Sequence, residues 1–162
     1  MEIIKIDKTR AEEIVPLIAD FRCALCSYKG IIKKPDINAA REELFEFLDR
    51  GFPVYAAADG YGFAGYIVCR IDEPCLWVEH IFVAESSRRK GIATALFAKA
   101  EELAASMGEE TVFNYVHPNN GGMISFLRSK GYTVLNMIEL RKPYAGEKPA
   151  SRINVGNSVF DY

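Results

Sequence analysis

The sequence predicts an α/β fold, because strand-like and helix-like segments alternate along most of its 162 residues. Two strand-like runs, Val54–Ala58 and Phe63–Ile71, flank a turn at Asp59-Gly60 and predict an antiparallel hairpin. The next apolar run, Cys75–Val83, is joined to a fifth strand at Thr111–Val116 by a long helical segment. A helical crossover joins parallel strands, so we expect the fourth and fifth strands to run parallel and to splay apart at one end.

The other elements follow from periodicity and from residues that begin and end helices. Glu2–Ile6 is predicted to be the first strand, and Thr9-x-x-Glu12 is a capping box for the first helix. Pro16 should make the first turn of that helix irregular, and Tyr132–Arg141 is predicted to be a sixth strand. The helices have these apolar faces: Ile14, Leu17, Ile18, Phe21 and Leu25; Ile37, Ala40, Leu44 and Leu48; Ile92, Leu96, Ala100, Leu103 and Met107; and the segment Asn120–Tyr132, closed by Gly131.

The composition favours one core and a cytoplasmic protein. Hydrophobic residues make up 49% of the chain, and the formal net charge of −2 provides no basic field for nucleic acid. No apolar run approaches the ~20 residues of a membrane span, and the first residues lack the layout of a signal peptide. Cys23-x-x-Cys26 is the only close cysteine pair, so we expect free thiols and no metal site.

A basic loop lies between the fourth strand and the third helix: Arg88-Arg89-Lys90-Gly91-Ile92-Ala93. The start of a helix presents several backbone N–H groups without partners, and the aligned peptide dipoles add positive charge there. Gly91 allows a ligand to approach the backbone closely, and the three basic side chains add full charges. The sequence therefore predicts a pyrophosphate site at this loop.

Two other phosphate motifs are excluded. The chain has no match to the Walker pattern G-x-x-x-x-G-K-[ST]. Gly60-Tyr61-Gly62-Phe63-Ala64-Gly65 matches the dinucleotide pattern G-x-G-x-x-G, but that pattern must open a helix. Here it continues into the strand-like run Tyr66–Ile71, so we interpret it as a hairpin.

A third phosphate motif, R/Q-x-x-G-x-G/A, fits Arg88-x-x-Gly91-x-Ala93. At these residues the sequence resembles the GNAT superfamily of acetyl-CoA-dependent N-acetyltransferases. Ile81-Phe82-Val83 stands where that family has the strand that pairs with pantetheine, and Asn120–Tyr132 is similar to its signature N-x-x-A-x-x-F-Y-x-x-x-G-F. The resemblance extends from about Glu2 to Arg141.

The resemblance implies a GNAT-like three-layer fold over residues 1–142, with a mixed, mostly antiparallel sheet of about six or seven strands flanked by helices. It also implies acetyl-CoA as the cofactor, with its pyrophosphate on the backbone amides of residues 89–94. The residues expected to bind acetyl-CoA are Ile81, Phe82, Val83, Arg88, Arg89, Lys90, Gly91, Ile92, Ala93, Thr94, Asn120, Phe126 and Arg128.

The implied activity is transfer of the acetyl group to a primary amine by direct attack in a ternary complex. The acceptor, a small molecule or a protein amine, is not identified by the sequence. The resemblance implies a tyrosine that protonates the departing thiolate, and this chain has Leu127 in its place. The proton would then come from Tyr144, Tyr115 or water, or the thiolate would leave without one. The alternative function is a non-catalytic acyl-CoA-binding module, a sensor or a scaffold, derived from the same fold.

An attacking amine must lose a proton, and a carboxylate can accept it. Glu79 lies two residues before Ile81, and the resemblance implies that this position faces the acceptor amine. The alternative is a structural ion pair between Glu79 and Arg70 on the neighbouring strand. Tyr115 and His117, at the end of the fifth strand, are the other catalytic candidates.

Strict alternation along the fourth strand predicts two faces. Trp77, Glu79 and Ile81 would lie on one face, and Val78, His80 and Phe82 on the other. On this pattern His80 is expected to be a structural histidine that faces a helix rather than a catalyst.

The last twenty residues, 143–162, differ from the rest. Pro143, Gly146 and Pro149 indicate a linker, and two alternating runs around Gly156-Asn157 predict a hairpin. A lone hairpin is marginally stable, so we expect this tail to pack on its own domain or on the partner in a homodimer. The connector Tyr28–Asp36 and the tail are expected to influence the choice of acceptor.

Overall fold

A computed structural model of the chain describes residues 1–60 and 62–162. Tyr61, the second position of the G-x-G-x-x-G match, lies outside the described residues. The chain divides into two compact units, Met1–Phe126 and Leu127–Tyr162. The domain boundary expected after residue 142 stays a prediction.

The first unit is built on a five-stranded sheet in the order β1-β2-β3-β4-β5. β1 to β4 pair antiparallel in sequence order, whereas β5 pairs parallel to β4. The predicted α/β class, the mixed and mostly antiparallel sheet and the parallel fourth and fifth strands are therefore confirmed. The elements are β1 (Glu2–Lys5), α1 (Val15–Ser27), α2 (Ile37–Asp49), β2 (Val54–Ala58), β3 (Phe63–Asp72), β4 (Cys75–Val83), α3 (Ile92–Ser106), β5 (Phe113–Asn114) and α4 (Gly121–Ser129).

Helices pack on both faces of the sheet. α1 and α2 bury apolar residues against Tyr66 and Val68 of β3, and this cluster forms the core. α3 packs on β3 and β4 with Leu96, Phe97 and Ala100 fully buried. The sheet therefore has two faces, which we call the α1–α2 face and the α3 face.

The start of α1 differs from the predicted capping box. Both the backbone N–H and the hydroxyl of Thr9 donate to Asp7 Oδ1, at 2.8 and 2.5 Å, so Thr9 caps no helix. A 3-10 turn, Ala11–Glu13, comes first, and α1 then begins with Pro16 in its first turn. Proline is tolerated there because the first helical N–H groups have no intrahelical acceptor. The irregular start is confirmed and the capping box is wrong.

β2 and β3 pair antiparallel on either side of the start of the G-x-G-x-x-G match, which confirms the predicted hairpin for the described residues. The last glycine of the match, Gly65, lies inside β3 and is buried. A Cβ atom at Gly65 would lie 2.6 Å from the carbonyl oxygen of Phe82, closer than any ordinary contact. This glycine therefore lets β3 approach β4 closely, and it does not serve to bind a nucleotide.

Two strand predictions are wrong. β5 contains only Phe113–Asn114 rather than Thr111–Val116, and residues 133–144 lie in no helix or strand. The alternating pattern of Tyr132–Arg141 suits a strand, but a strand also needs a neighbouring backbone with which to pair. The sequence specifies the pattern and does not specify that partner.

The second unit contains the predicted hairpin near the end of the chain. β6 (Arg152–Val155) and β7 (Ser158–Asp161) pair antiparallel around Gly156-Asn157. Among the described residues, none of the helices has both the length and the apolar character needed to cross a bilayer.

Candidate active site

β4 contains a β-bulge at Glu79. Val68 of β3 is opposite His80, whereas the next residue of β3, Cys69, is opposite Val78. Glu79 is therefore an extra residue without an opposite partner on β3. A bulge of this kind bends the strand and redirects side chains.

The bulge changes which side chains share a face. Trp77 is opposite Arg70 and His80 is opposite Val68, and these two residues of β3 are two positions apart. Trp77 and His80 therefore lie on the same face, the α1–α2 face. The strict alternation predicted for β4 is wrong across Glu79, because one inserted residue reverses the order of faces beyond it.

Arg70 on β3 binds the carboxylate of Glu79. Its Nε donates to Glu79 Oε2 at 2.9 Å, and its guanidinium also pairs with Asp72. The ion pair between Glu79 and Arg70, which the sequence analysis gave as the alternative to a catalytic role, is thus present. In the described part of the chain, Oε1 of Glu79 accepts no hydrogen bond, so one carboxylate oxygen remains available on the α1–α2 face.

Trp77 and Tyr115 form a ring stack where β4 and β5 separate. Their ring centroids are 4.6 Å apart and the rings are nearly parallel, at 13°. The β4–β5 ladder has only two pairs, Trp77 with Phe113 and Val78 with Asn114, so Tyr115 lies just past its end. Arg70 contacts the same tryptophan, with Cζ 5.5 Å from the ring centroid. Trp77 is a site residue that the sequence analysis missed, because pairing across distant strands cannot be read from local periodicity.

His117 is held in a second group beyond the end of β5. Its ring stacks on Tyr28 with centroids 6.0 Å apart, and its Nδ1 accepts the backbone N–H of Asn119 at 3.2 Å. Asn119 Nδ2 in turn donates to the carbonyl oxygen of Tyr28 at 2.9 Å. Burial, and to a lesser degree the charge of Lys29, lowers the pKa of His117 from its usual 6.5. At neutral pH the ring is therefore neutral, with its proton on Nε2.

His80 is buried between the sheet and the helices α1 and α2. Its Nδ1 lies 3.2 Å from the Tyr66 hydroxyl oxygen, and the ring contacts Phe21 and Phe47. Burial, and then the charge of Arg22, lowers the pKa of His80 to about 3. The prediction of a structural histidine that faces a helix is confirmed, although its face is shared with Trp77.

The loop before α3 presents a row of unpaired backbone amides. Arg89 and Gly91 both have left-handed backbone conformations, with φ of 62° and 79°. In the described part of the chain, no backbone carbonyl accepts a hydrogen bond from the amides of residues 89–94, and Ala95 makes the first helical bond, to Gly91. Six consecutive donors at a helix start form a concave anion site.

The basic side chains of this loop partly support the loop itself. Arg88 Nε donates to the carbonyl oxygen of Val83 at 3.2 Å, and Lys90 Nζ donates to that of Ser86 at 3.0 Å. Arg88, Arg89 and Lys90 are all exposed, so their charges lie at the surface near the amides.

The edge of β4 leads directly to this loop. Residues 80–83 pair with β3 on one side, and β5 pairs with none of them on the other. Ile81, Phe82 and Val83 are half-buried. An unpaired strand edge that ends at an anion site fits an extended ligand that carries a pyrophosphate at one end.

The remaining cofactor candidates lie on α3 and α4. Asn120 Oδ1 accepts the backbone N–H of Met123 at 3.0 Å and so caps α4. Phe126 packs edge-on against Phe97 of α3, with centroids 5.5 Å apart. Arg128 is exposed in the last turn of α4. At the start of α3, Ile92 is buried, Ala93 is half-buried and Thr94 is exposed.

These features place an anion site at the end of an open strand edge, a shape that suits an extended ligand with a pyrophosphate at one end. Residues 21–132, more than half of the chain, match the acetyltransferase (GNAT) family. The chain belongs to this family and is an acyltransferase. The resemblance carried by the Arg88–Ala93 loop and the Asn120 segment is confirmed.

Named relatives agree with this assignment. An uncharacterized N-acetyltransferase of Methanocaldococcus jannaschii is 28% identical in an alignment 152 residues long. The alignment covers 69% of this chain and 67% of that protein.

Solved structures share the fold. The aminoglycoside N-acetyltransferase AAC(6')-Iy, in complex with a bisubstrate analogue of CoA and monomethyl-acetylneamine, has a TM-score of 0.70 at 18% identity. That match covers 88% of this chain and 97% of the other. The ribosomal-protein-alanine N-acetyltransferase of Brucella melitensis biovar Abortus has a TM-score of 0.70 at 20% identity, with 88% and 99% covered. At these identities the similarity concerns the fold alone.

The buried His80 should make the stability of the protein depend on pH. Its pKa is about 3 in the folded chain, whereas a histidine in an unfolded chain titrates near ~6.5. Between these values the unfolded state holds the extra proton, so the free energy of unfolding should rise with pH. The slope from this residue is at most about 1.4 kcal/mol per pH unit.

Urea unfolding at about pH 5 and about pH 6 measures this slope. His80→Gln should reduce it by up to about 1.4 kcal/mol per pH unit, whereas His117→Gln, at the partly exposed end of β5, should reduce it less. An unchanged slope in His80→Gln would mean that His80 is protonated in the folded protein.

Proposed function

We propose that this acyltransferase moves the acetyl group of acetyl-CoA to a primary amine by direct attack in a ternary complex. The observation that carries the proposal is the continuous path from Glu79, along the unpaired edge of β4, to the six unpaired amides of residues 89–94. One end of this path suits a pyrophosphate, and the other end has a carboxylate.

The chain's own groups account for binding. The amides of residues 89–94 would hold the pyrophosphate, and the backbone of Ile81–Val83 would pair with pantetheine. Asn120, which caps α4, and Phe126 within that helix, with Arg88 and Lys90, complete the proposed cofactor contacts in this unit. Bound acetyl-CoA supplies the thioester whose carbonyl carbon the amine attacks.

Glu79 is the proposed proton acceptor. A protonated amine gives its proton to Oε1 while Arg70 holds Oε2, and the free amine nitrogen then bonds to the acetyl carbon. The carbon–sulfur bond breaks, the sulfur leaves as thiolate, and the extra proton of the new amide nitrogen passes to that sulfur, directly or through the hydroxyl of Tyr115. His117 is neutral with its proton on Nε2, so its proposed part in proton transfer is to donate a hydrogen bond. Tyr115 is the proposed proton donor in this unit.

The alternative function, a non-catalytic acyl-CoA-binding module, has one observation in its favour. Leu127 stands where the resemblance implies a tyrosine, and its hydrocarbon side chain, which is buried, has no proton to give to a thiolate. A binding module would retain acetyl-CoA and release no free thiol with any amine. We favour the enzyme, because the anion site and the carboxylate lie on one strand edge.

Gly91→Glu should abolish acetyl-CoA binding. The change places negative charge and bulk within the row of amides proposed to hold the pyrophosphate. Because Gly91 has a φ of 79°, most other residues are strained there. The matched control is Gly91→Asn, because asparagine is uncharged and adopts this conformation more readily than most side chains. Calorimetry should detect acetyl-CoA binding in wild type and Gly91→Asn and none in Gly91→Glu. Equal affinity in all three would place the pyrophosphate elsewhere.

Glu79→Gln should lower turnover at saturating amine by at least about tenfold, since general-base catalysis is typically worth ~10²–10⁴-fold. Acetyl-CoA affinity should not change. The control is Asp72→Asn, which removes the other carboxylate partner of the same guanidinium and should retain turnover. Thiol release in a panel of amines is the measurement. Full turnover in Glu79→Gln would make Glu79 structural and would assign proton transfer to Tyr115, His117 or water.

We further propose that the chain forms a homodimer through its C-terminal segment. Residues 133–144 expose a run of large apolar side chains, and Val134 and Leu135 are 86% and 70% exposed. Large exposed apolar patches commonly mark interaction sites, and five large aliphatic side chains between residues 134 and 140 are exposed here. A second copy of the chain offers both an apolar surface and a strand edge.

Light scattering over a range of protein concentrations tests the dimer. Wild type should have twice the mass of the chain, and the double variant Leu135→Lys with Leu140→Lys should be monomeric. The matched control is Lys130→Glu, an exposed charge change in the same unit. A wild-type monomer at all concentrations would assign these apolar side chains to the chain's own core.

A further inference from the structure

Three planar groups from three neighbouring strands meet on the α1–α2 face: Arg70 of β3, Trp77 of β4 and Tyr115 just after β5. The guanidinium lies 5.5 Å from the centroid of Trp77, and the rings of Trp77 and Tyr115 are stacked at 4.6 Å. Contacts of this kind fix the orientation of all three groups.

Tyr115 is nevertheless 60% exposed. Most exposed side chains lose rotamer freedom when they bind a ligand, and that loss weakens binding. A ring already held against Trp77 has little freedom left to lose. Tyr115 therefore offers a rigid aromatic surface to an incoming molecule.

The position of this surface connects it with the proposed chemistry. Tyr115 follows Asn114, the last residue that pairs with β4. The same Arg70 that contacts Trp77 also holds Oε2 of Glu79, at 2.9 Å. The exposed ring is therefore close to the proposed proton acceptor.

The charges nearby limit the acceptor. Arg70 carries one positive charge, and Glu79 and Asp72 carry one negative charge each, which leaves a net charge of −1 for one ammonium group. Lys29 lies near enough to His117, two residues after Tyr115, for its charge to lower the pKa of that histidine. A second cationic group of the acceptor would be repelled if it approached Lys29, whereas an acceptor with one ammonium group, held at Glu79, has no second charge to place there.

We propose that the ring of Tyr115 binds the acceptor, and that the acceptor is a primary amine carried on a planar aromatic ring with its nitrogen directed to Glu79. This inference rests on the proposed function, because it assigns the substrate class of that site.

Trp77 is the only tryptophan of the chain, so its fluorescence reports directly on binding at this stack. Protein saturated with coenzyme A, which cannot transfer an acetyl group, is titrated with phenylethylamine, cyclohexylethylamine, glucosamine and spermidine. The first two have the same charge and similar size and differ in planarity. Phenylethylamine should bind about threefold to tenfold more tightly than cyclohexylethylamine, which is the range for an aromatic pair.

Two variants test the role of Tyr115. Tyr115→Phe keeps the ring and should bind phenylethylamine with nearly unchanged affinity. Tyr115→Ala should weaken that binding about threefold to tenfold and remove the preference over cyclohexylethylamine. Calorimetry with coenzyme A shows that both variants are folded, because the cofactor site lies on other residues.

The outcomes separate this inference from the proposed function. The aromatic acceptor is overturned if the two ring amines bind with equal affinity, if spermidine or glucosamine binds more tightly, or if Tyr115→Ala leaves the affinity for phenylethylamine unchanged. In each of these cases, thiol release with amines would still uphold the enzyme. A protein that releases no thiol with any amine overturns the proposed function instead.

Discussion

β4 and β5 share only two ladder pairs, Trp77 with Phe113 and Val78 with Asn114, and the candidate site is arranged around the point where this ladder stops. Beyond it, β4 continues for five residues: Glu79, which forms the bulge, and residues 80–83, which pair with β3 and not with β5. Backbone groups without partners are costly to bury, so such an edge is stable only when solvent or a ligand occupies it. At the far end of the edge, the start of α3 adds six more unpaired amides. One interruption of pairing thus creates both the open edge and the end of β5 from which Tyr115 extends.

The bulge at Glu79 lies at the same point, and it changes which side chains of β4 share a face of the sheet. Without it, Trp77 and His80 would lie on opposite faces of the sheet. With it, both lie on the α1–α2 face, and the carboxylate of Glu79 reaches Arg70 there. His80 is fixed by the Tyr66 hydroxyl and by Phe21 and Phe47, so the residue directly after the bulge is held rigidly. A rigid neighbour limits the conformations available to Glu79, which is what a group that must meet a substrate in one geometry requires.

Local signals were sufficient for much of this fold. The bounds of β4 and the start of α3 were predicted from an apolar run, a basic loop and Gly91, and the hairpin was predicted because Gly65 continues into a strand. One error is local, because Thr9 bonds to Asp7, two residues earlier, and caps no helix. The other errors occurred where a local pattern depends on a distant partner: Tyr132–Arg141 has a strand pattern but lies in no strand. No residue type marks the bulge at Glu79, and the Trp77–Tyr115 contact depends on a parallel register that the sequence does not contain. The roles of the site residues, which the sequence proposed by resemblance, stay predictions.

The ion pair of Glu79 and its proposed catalytic role are compatible. Arg70 binds only one oxygen of the carboxylate and shares its charge with Asp72, so the pair fixes the side chain without occupying Oε1. A flexible carboxylate on an exposed strand would have to be ordered by the substrate, and that ordering would cost binding energy. The presence of the ion pair therefore does not separate an enzyme from a binding module. Whether the protein is an enzyme or a binding module depends on whether an amine reaches Oε1. The group that we propose to direct the amine there is the ring of Tyr115, which stacks on the same Trp77 that Arg70 contacts.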